Sequence, residues 1–318
     1  MRAGCNSTTS SAGHPACCSL TDLHPSLSRG PMAYKDILLP LFTYPTPIPE
    51  SAMRNAAAIA MRLGCGPDGG ELAAMVFKVQ MQPARNRLAN FLAQTDDLIR
   101  EENRRCAAVA EKTAAAWSGI AAGYGLKSRT FIRDVDMFGE AEALSRAART
   151  SDICMVSIGP EQEIDKAAAE SMLFSSGRPL LIFPEAAPLR DSGTFERIVV
   201  AWDASRSAAR ALGDALPLLI GARDVRILTV IGEKPSARSG QGDEVIRHLA
   251  LHGVQATVDE VEAAGRPIGQ VLEAHMEQQD ADLLVMGGFG HSRVRDFLLG
   301  GATGALLKDP RFPVLLAH

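Results

Sequence analysis

Asp282-Leu283-Leu284-Val285-Met286-Gly287-Gly288-Phe289-Gly290 is a short apolar run that opens on a carboxylate and breaks into glycines. Consecutive apolar residues without polar alternation describe a strand covered on both faces, the habit of parallel sheets. The run has a counterpart in Asp152-Ile153-Cys154-Met155-Val156. Two further landmarks recur in the same order, and such self-similarity is read before anything else. Asp36-Ile37-Leu38-Leu39 answers Arg197-Ile198-Val199-Val200 as an opening strand. Arg178-Pro179-Leu180-Leu181-Ile182 answers Phe312-Pro313-Val314-Leu315-Leu316 as a closing one.

Helical segments lie between these strands, among them Ser205 to Leu219 with Ser205 as N-cap and Pro267 to Glu277 with Pro267 in its first turn. Strands alternating with helices give right-handed crossovers, so the fold class is α/β, with two tandem doubly wound parallel-sheet domains of Rossmann-like form. The opening strands are further apart in sequence than the later landmarks, so the first half carries an insertion. It falls around Pro83 to Gly123, where Leu88, Phe91, Leu92, Leu98 and Ile99 recur at helical spacing. A long helix that covers more of the core is the expected form.

The 318 residues exceed what one core organises, and two units of about 150 residues each are expected. Residues 32–190 form the first and 191–318 the second. Residues 1–31 are rich in Ser, Thr, Gly, Pro and Cys without apolar period, and a disordered extension is expected there. The ordered pattern starts just after Met32, which is the expected translation start, checkable by the intact mass of the native protein.

A net charge of -4 and a pI near 6.0 provide no basic footprint for a nucleic-acid backbone. No apolar stretch approaches the roughly 18 residues of a membrane span, and none near the N-terminus resembles a signal peptide, so a cytoplasmic protein is expected. The six cysteines are scattered and make no disulfide framework. His14, Cys17 and Cys18 lack the second ligand pair of a metal site.

The candidate chemistry lies after Met286. Gly287-Gly288-Phe289-Gly290 is followed, nine residues on, by Gly300-Gly301-Ala302-Thr303. Glycines let backbone N–H groups approach an anion, and loops of this kind that end at a helix N-terminus hold phosphate oxygens. Neither a G-x-x-x-x-G-K-[ST] loop nor a dinucleotide fingerprint is present, since Arg293 stands where the third glycine would be. Arg293 suits a phosphate by its guanidinium geometry. His291 has no carboxylate partner nearby in sequence that would make it a base.

The pattern Gly287-x2-Gly290-x9-Gly300, with the strand before it and the Pro-Val-Leu strand after it, resembles the signature of the universal stress protein family. Arg197-Ile198-Val199-Val200-Ala201-Trp202-Asp203-Ala204-Ser205 resembles that family's first strand with its terminal aspartate and following serine. The second half fits throughout, the first by strand layout, and a tandem arrangement is a familiar form of the family. The resemblance implies strand order 3-2-1-4-5 and a site for ATP, with Mg2+ accompanying it, at the carboxyl ends of strands one and four. That is where ligands sit in open α/β sheets. It implies that Asp203 holds the adenosine portion and that Val230 contacts adenine. Met286 and Gly287 would line the site, Gly290 and Gly300 would flank the phosphates, and Gly301 and Ala302 would supply main-chain amides. The family has Ser or Thr where this chain has Gly301, so a phosphate-binding hydroxyl is missing.

In the first half Phe42 stands at the position of Asp203, and Pro40 is expected to interrupt a central strand. No glycines at the required spacings follow Val156, and Glu161, Glu163 and Asp165 would repel phosphate. The first half is expected to act as a packing partner. The resemblance further implies pairing of the two closing strands into an intramolecular pseudo-dimer, with homodimerisation open. The expected function is a regulatory stress-response protein that binds an adenine nucleotide and acts on a protein partner not identified by the sequence. Slow ATP hydrolysis is the most catalysis expected. The alternative is an interaction module with both sites inactive. An adenylating enzyme lacks its S-G-G-x-D-S type loop.

Overall fold

The computed structural model describes residues 34–82, 95–159, 163–186, 193–232, 239–288 and 309–318. The N-terminal extension, the start at Met32 and the boundary after residue 190 lie outside the described residues. In the first half the order is β1 (Asp36–Leu41), α1 (Glu50–Arg62), β2 (Glu71–Gln80), α2 (Thr95–Gly123), β3 (Ser128–Asp136), α3 (Glu140–Ala148), β4 (Ile153–Ile158), α4 (Glu163–Ser175) and β5 (Leu180–Pro184). The second half contributes β6 (Arg197–Ala201), α5 (Arg206–Gly221), β7 (Asp224–Ile231), α6 (Gly242–Leu251), β8 (Thr257–Glu262), α7 (Ile268–Gln278), β9 (Leu283–Gly287) and β10 (Val314–Ala317).

Among the described residues all strands join one ten-stranded sheet in the order β3-β2-β1-β4-β5-β10-β9-β6-β7-β8. Each half reads 3-2-1-4-5, and every neighbouring pair is parallel except β5 with β10. These meet antiparallel, with Val314 opposite Ile182, Leu315 opposite Leu181 and Leu316 opposite Leu180. One consequence is geometric: the carboxyl ends of the strands in the two halves face opposite rims of the sheet.

Near-continuous apolar strands require cover on both faces, and two core layers provide it. One packs α1, α2, α5 and α6 on the sheet through residues such as Ala56, Trp117, Leu219 and Leu249. The other packs α3, α4 and α7 through Leu144, Met172 and Leu272. Both layers run across the two halves without a break. Full burial of each such Leu or Met stabilises by about 1.5–3 kcal/mol.

The carboxylate that precedes strand four does the same work in both halves. Asp152 Oδ2 accepts from the N–H groups of Lys35 and Asp36 at 2.7 and 3.0 Å, and its own N–H donates to Asp36 O at 2.8 Å. Asp282 accepts from Glu196 and Arg197 at 2.9 and 3.2 Å and donates to Arg197 O at 2.9 Å. The repeated acids therefore pin the start of the fourth strand to the start of the first.

Two local expectations need correction. Pro40 does not interrupt β1: its ladder to β2 runs on through Pro40 opposite Met75, whereas the ladder to β4 stops at Leu38 opposite Cys154. A proline removes only one donor, and a second neighbour keeps the strand in place. The long helix is present as α2, but it covers core only from Cys106 onward, through Ala110, Thr113, Trp117 and Ile120. Leu98 is 69% exposed, and the first turns are solvated by the pairs Asp97–Arg100 and Glu101–Arg104. Leu88, Phe91 and Leu92 lie outside the described residues.

Candidate functional site

Ala201 ends β6 opposite Met286 of β9 and Leu228 of β7. The chain then turns. Trp202 N–H donates to Leu228 O at 2.8 Å, Ser205 N–H donates to Asp203 Oδ1 at 3.0 Å, and Ala204 between them has φ +57. A left-handed alanine costs roughly 1–2 kcal/mol, and strain of this kind collects at functional turns. Ser205 caps α5 by accepting from Ala208 N–H at 3.1 Å, as its sequence position suggests, and its hydroxyl lies 3.1 Å from that of Ser207.

Strand alternation sorts the neighbouring side chains. Val230 and Met286, 7% and 6% exposed, belong to the layer that also receives Ala201, on the side of α3, α4 and α7. Asp203 follows two residues beyond Ala201, so a carboxylate-bearing turn stands at the rim of that apolar wall. Trp202 packs on the opposite layer, and Thr229 precedes Val230 on that same side. Trp202 Nε1 and the fully buried Thr229 Oγ1 have no hydrogen-bond partner among the described residues.

Gly287 has a packing reason for being glycine: a Cβ there would stand 2.5 Å from Ala208 N and 2.6 Å from Ser207 Oγ, inside the first turn of α5. Gly288 is pressed in the same way against the first half, with Leu173 Cδ2 of α4 at 2.6 Å from its notional Cβ. Its N–H donates to Ala317 O at 2.8 Å, its carbonyl accepts from His318 Nδ1 at 3.1 Å, and the His318 ring meets Phe174 edge-on at 4.9 Å. Arg210 donates to Gly177 O at 3.3 Å. The last turns of α4 and the approach to β5 thus border the candidate site. The resemblance implies paired closing strands, but sequence reading missed this contribution, because it depends on which side chains of α4 the antiparallel register of β5 and β10 brings up to Gly288. Gly290, Arg293, Gly300, Gly301 and Ala302 lie outside the described residues.

In the first half the same corner is filled. Leu41 pairs with Val76, which sets Phe42 beside Phe77; in the second half the corresponding ladder ends at Ala201 opposite Leu228, two residues before Asp203 and Val230 respectively. The two phenyl rings stack at 5.3 Å with planes 19° apart, and they are 2% and 0% exposed. Thr43 Oγ1 donates to Phe77 O at 2.7 Å and closes the turn. Asp165 does not stand in solvent as a repelling charge. It is 2% exposed on α4, and burial, with Glu185 adding to it, raises its pKa to about 7. The Gly159 backbone bond and Lys166 act the other way.

Residues 194–318 match the universal stress protein family. A universal stress protein from Archaeoglobus fulgidus DSM 4304 superposes with a TM-score of 0.60 at 17% identity, over 90% of this chain and 96% of its own. That likeness shows the shared fold. A putative universal stress protein from Pseudomonas aeruginosa UCBPP-PA14 gives a TM-score of 0.47 at 16% identity, over 90% and 94% of the two chains. A universal stress family protein from Burkholderia pseudomallei gives 0.29 at 26% identity, over 38% of this chain and 95% of its own. No curated protein matches in sequence.

Proposed function

We propose that the second half binds ATP or a related adenine nucleotide, with Mg2+, at the carboxyl rim of β6, β7 and β9, and that the protein works as a regulatory stress-response protein. The observation that carries the reading is that the β6 ladder ends at Ala201, opposite Leu228 and Met286 and two residues before Asp203, while Phe42 and Phe77 fill the matching corner of the first half. An adenosine moiety needs apolar walls for its base and an acceptor for its ribose hydroxyls. Val230 and Met286 suit the first need and Asp203 the second. Phosphates would then rest on main-chain N–H groups of the glycine turns around Gly290, Gly300, Gly301 and Ala302, with Arg293 as counter-charge. The family match over 194–318 supports the stress-response role. The same reading puts the protein in the cytoplasm and makes nucleotide occupancy the signal that a protein partner senses.

Calorimetry of the full chain with Mg-ATP tests it. Wild type is expected to bind, and Asp203→Ala to bind about tenfold or more weakly, since truncating an acceptor strands its partner. Undiminished binding by Asp203→Ala removes the assigned site. The absence of a hydroxyl at position 301 favours one other reading, an interaction module without nucleotide. Wild type that fails to bind at millimolar ATP would establish that reading in place of the first.

A further inference from the structure

We propose that His248 and His252 form a chelating pair on α6 for a divalent transition-metal ion of the Zn2+, Ni2+ or Cu2+ type. The two residues are four apart, one turn of helix, and so share a face. Their rings lie with centroids 4.9 Å apart and planes at 67°. Two imidazoles bound to one tetrahedral ion through bonds of about 2.0–2.1 Å have ring centres about 5 Å apart, so the pair stands near chelating separation, and rotation of the rings about their side-chain bonds would turn a nitrogen of each toward a shared ion.

The mounting is firm. Val245 and Leu249, 3% and 0% exposed, fix α6 to the sheet and leave His248 and His252 in solvent. His252 is the C-cap, and its N–H is tied to Leu249 O at 2.9 Å. Imidazole nitrogens suit Zn2+, Cu2+ and Ni2+ and are poor ligands for Mg2+ or Ca2+. No cluster of three His, Cys, Asp or Glu able to hold a metal occurs among the described residues, so water completes the coordination and the site stays open to a further ligand. Among the other described histidines and cysteines, His275 is 5% exposed against Asp259, the exposed His318 is engaged by Gly288 O and the Phe174 ring, and Cys65, Cys106 and Cys154 are buried. The pair stands on the opposite layer from Val230 and Met286, so the proposal does not depend on nucleotide binding.

The test is calorimetric titration of the untagged full chain with nickel chloride, beside His248→Ala, His252→Ala and the double variant. Both positions are exposed, so the fold is retained in each. Tethering two ligands raises the effective concentration of the second, and wild type is expected to hold an ion about tenfold or more tightly than either single variant. The single variants are expected to match the double variant, and the melting temperature to rise with nickel in wild type alone. Equal affinity in wild type and the variants would overturn the chelate and leave a pair of imidazoles in edge-on contact.

Discussion

At the scale of single residues, the fold's polar interior is where pH acts. Asp165 is buried on α4, and its folded pKa near 7 exceeds the value of about 3.9 that an aspartate has in an unfolded chain. The native state therefore keeps a proton that the unfolded chain releases between those values. Stability falls as pH rises through that window, and the full cost is present above about pH 7. Asp165→Asn keeps the shape and abolishes the titration. It is expected to raise stability near pH 8 by about 1–3 kcal/mol and to flatten the slope between about pH 5 and 7, measured by urea unfolding. An unchanged slope would show that burial of this carboxyl does not set the pH dependence. The aromatic pair in the first half carries a different lesson. Phe42 is legible in the sequence as a lost carboxylate, but Phe77 becomes its partner only through the β1–β2 register, which composition and spacing leave open.

At the scale of elements, the strands were the most legible part, because short apolar runs preceded by a carboxylate recur in order and the carboxylates act as pins at the strand starts. Helix caps were legible where a side chain bonds its own neighbourhood, as Ser205 does. Contacts between elements distant in sequence were not. The resemblance assigns Gly287 to a ligand, and the structure gives it the first turn of α5 to accommodate. Gly287→Ala is accordingly expected to cost about 2 kcal/mol or more of stability with no nucleotide present, since the Cβ would meet backbone that cannot rotate away. Thermal unfolding of the ligand-free variant reads this out, and wild-type stability would contradict the packing role. The extent of α2 was likewise only half legible. Its buried stripe follows helical periodicity from Cys106, whereas Leu98 sits among charged pairs and stays in solvent.

At the scale of the whole molecule, the antiparallel seam between β5 and β10 makes one sheet of two repeats and turns their carboxyl rims in opposite directions. The second half's rim consequently meets the end of α4, where Leu173 packs at the position of Gly288 and Phe174 meets His318, so the first half borders the candidate site while its own matching corner holds Phe42 and Phe77. The repeat itself was legible, and the difference between the two corners was legible only at Asp203 and Phe42. The most direct measurement is a crystal structure of the full chain grown with a non-hydrolysable ATP analogue and Mg2+. The expected result is one analogue per chain, its ribose at Asp203 and its base against Val230 and Met286, with the Phe42–Phe77 stack intact. An analogue lodged in the first half, or bound away from Asp203, would contradict the account.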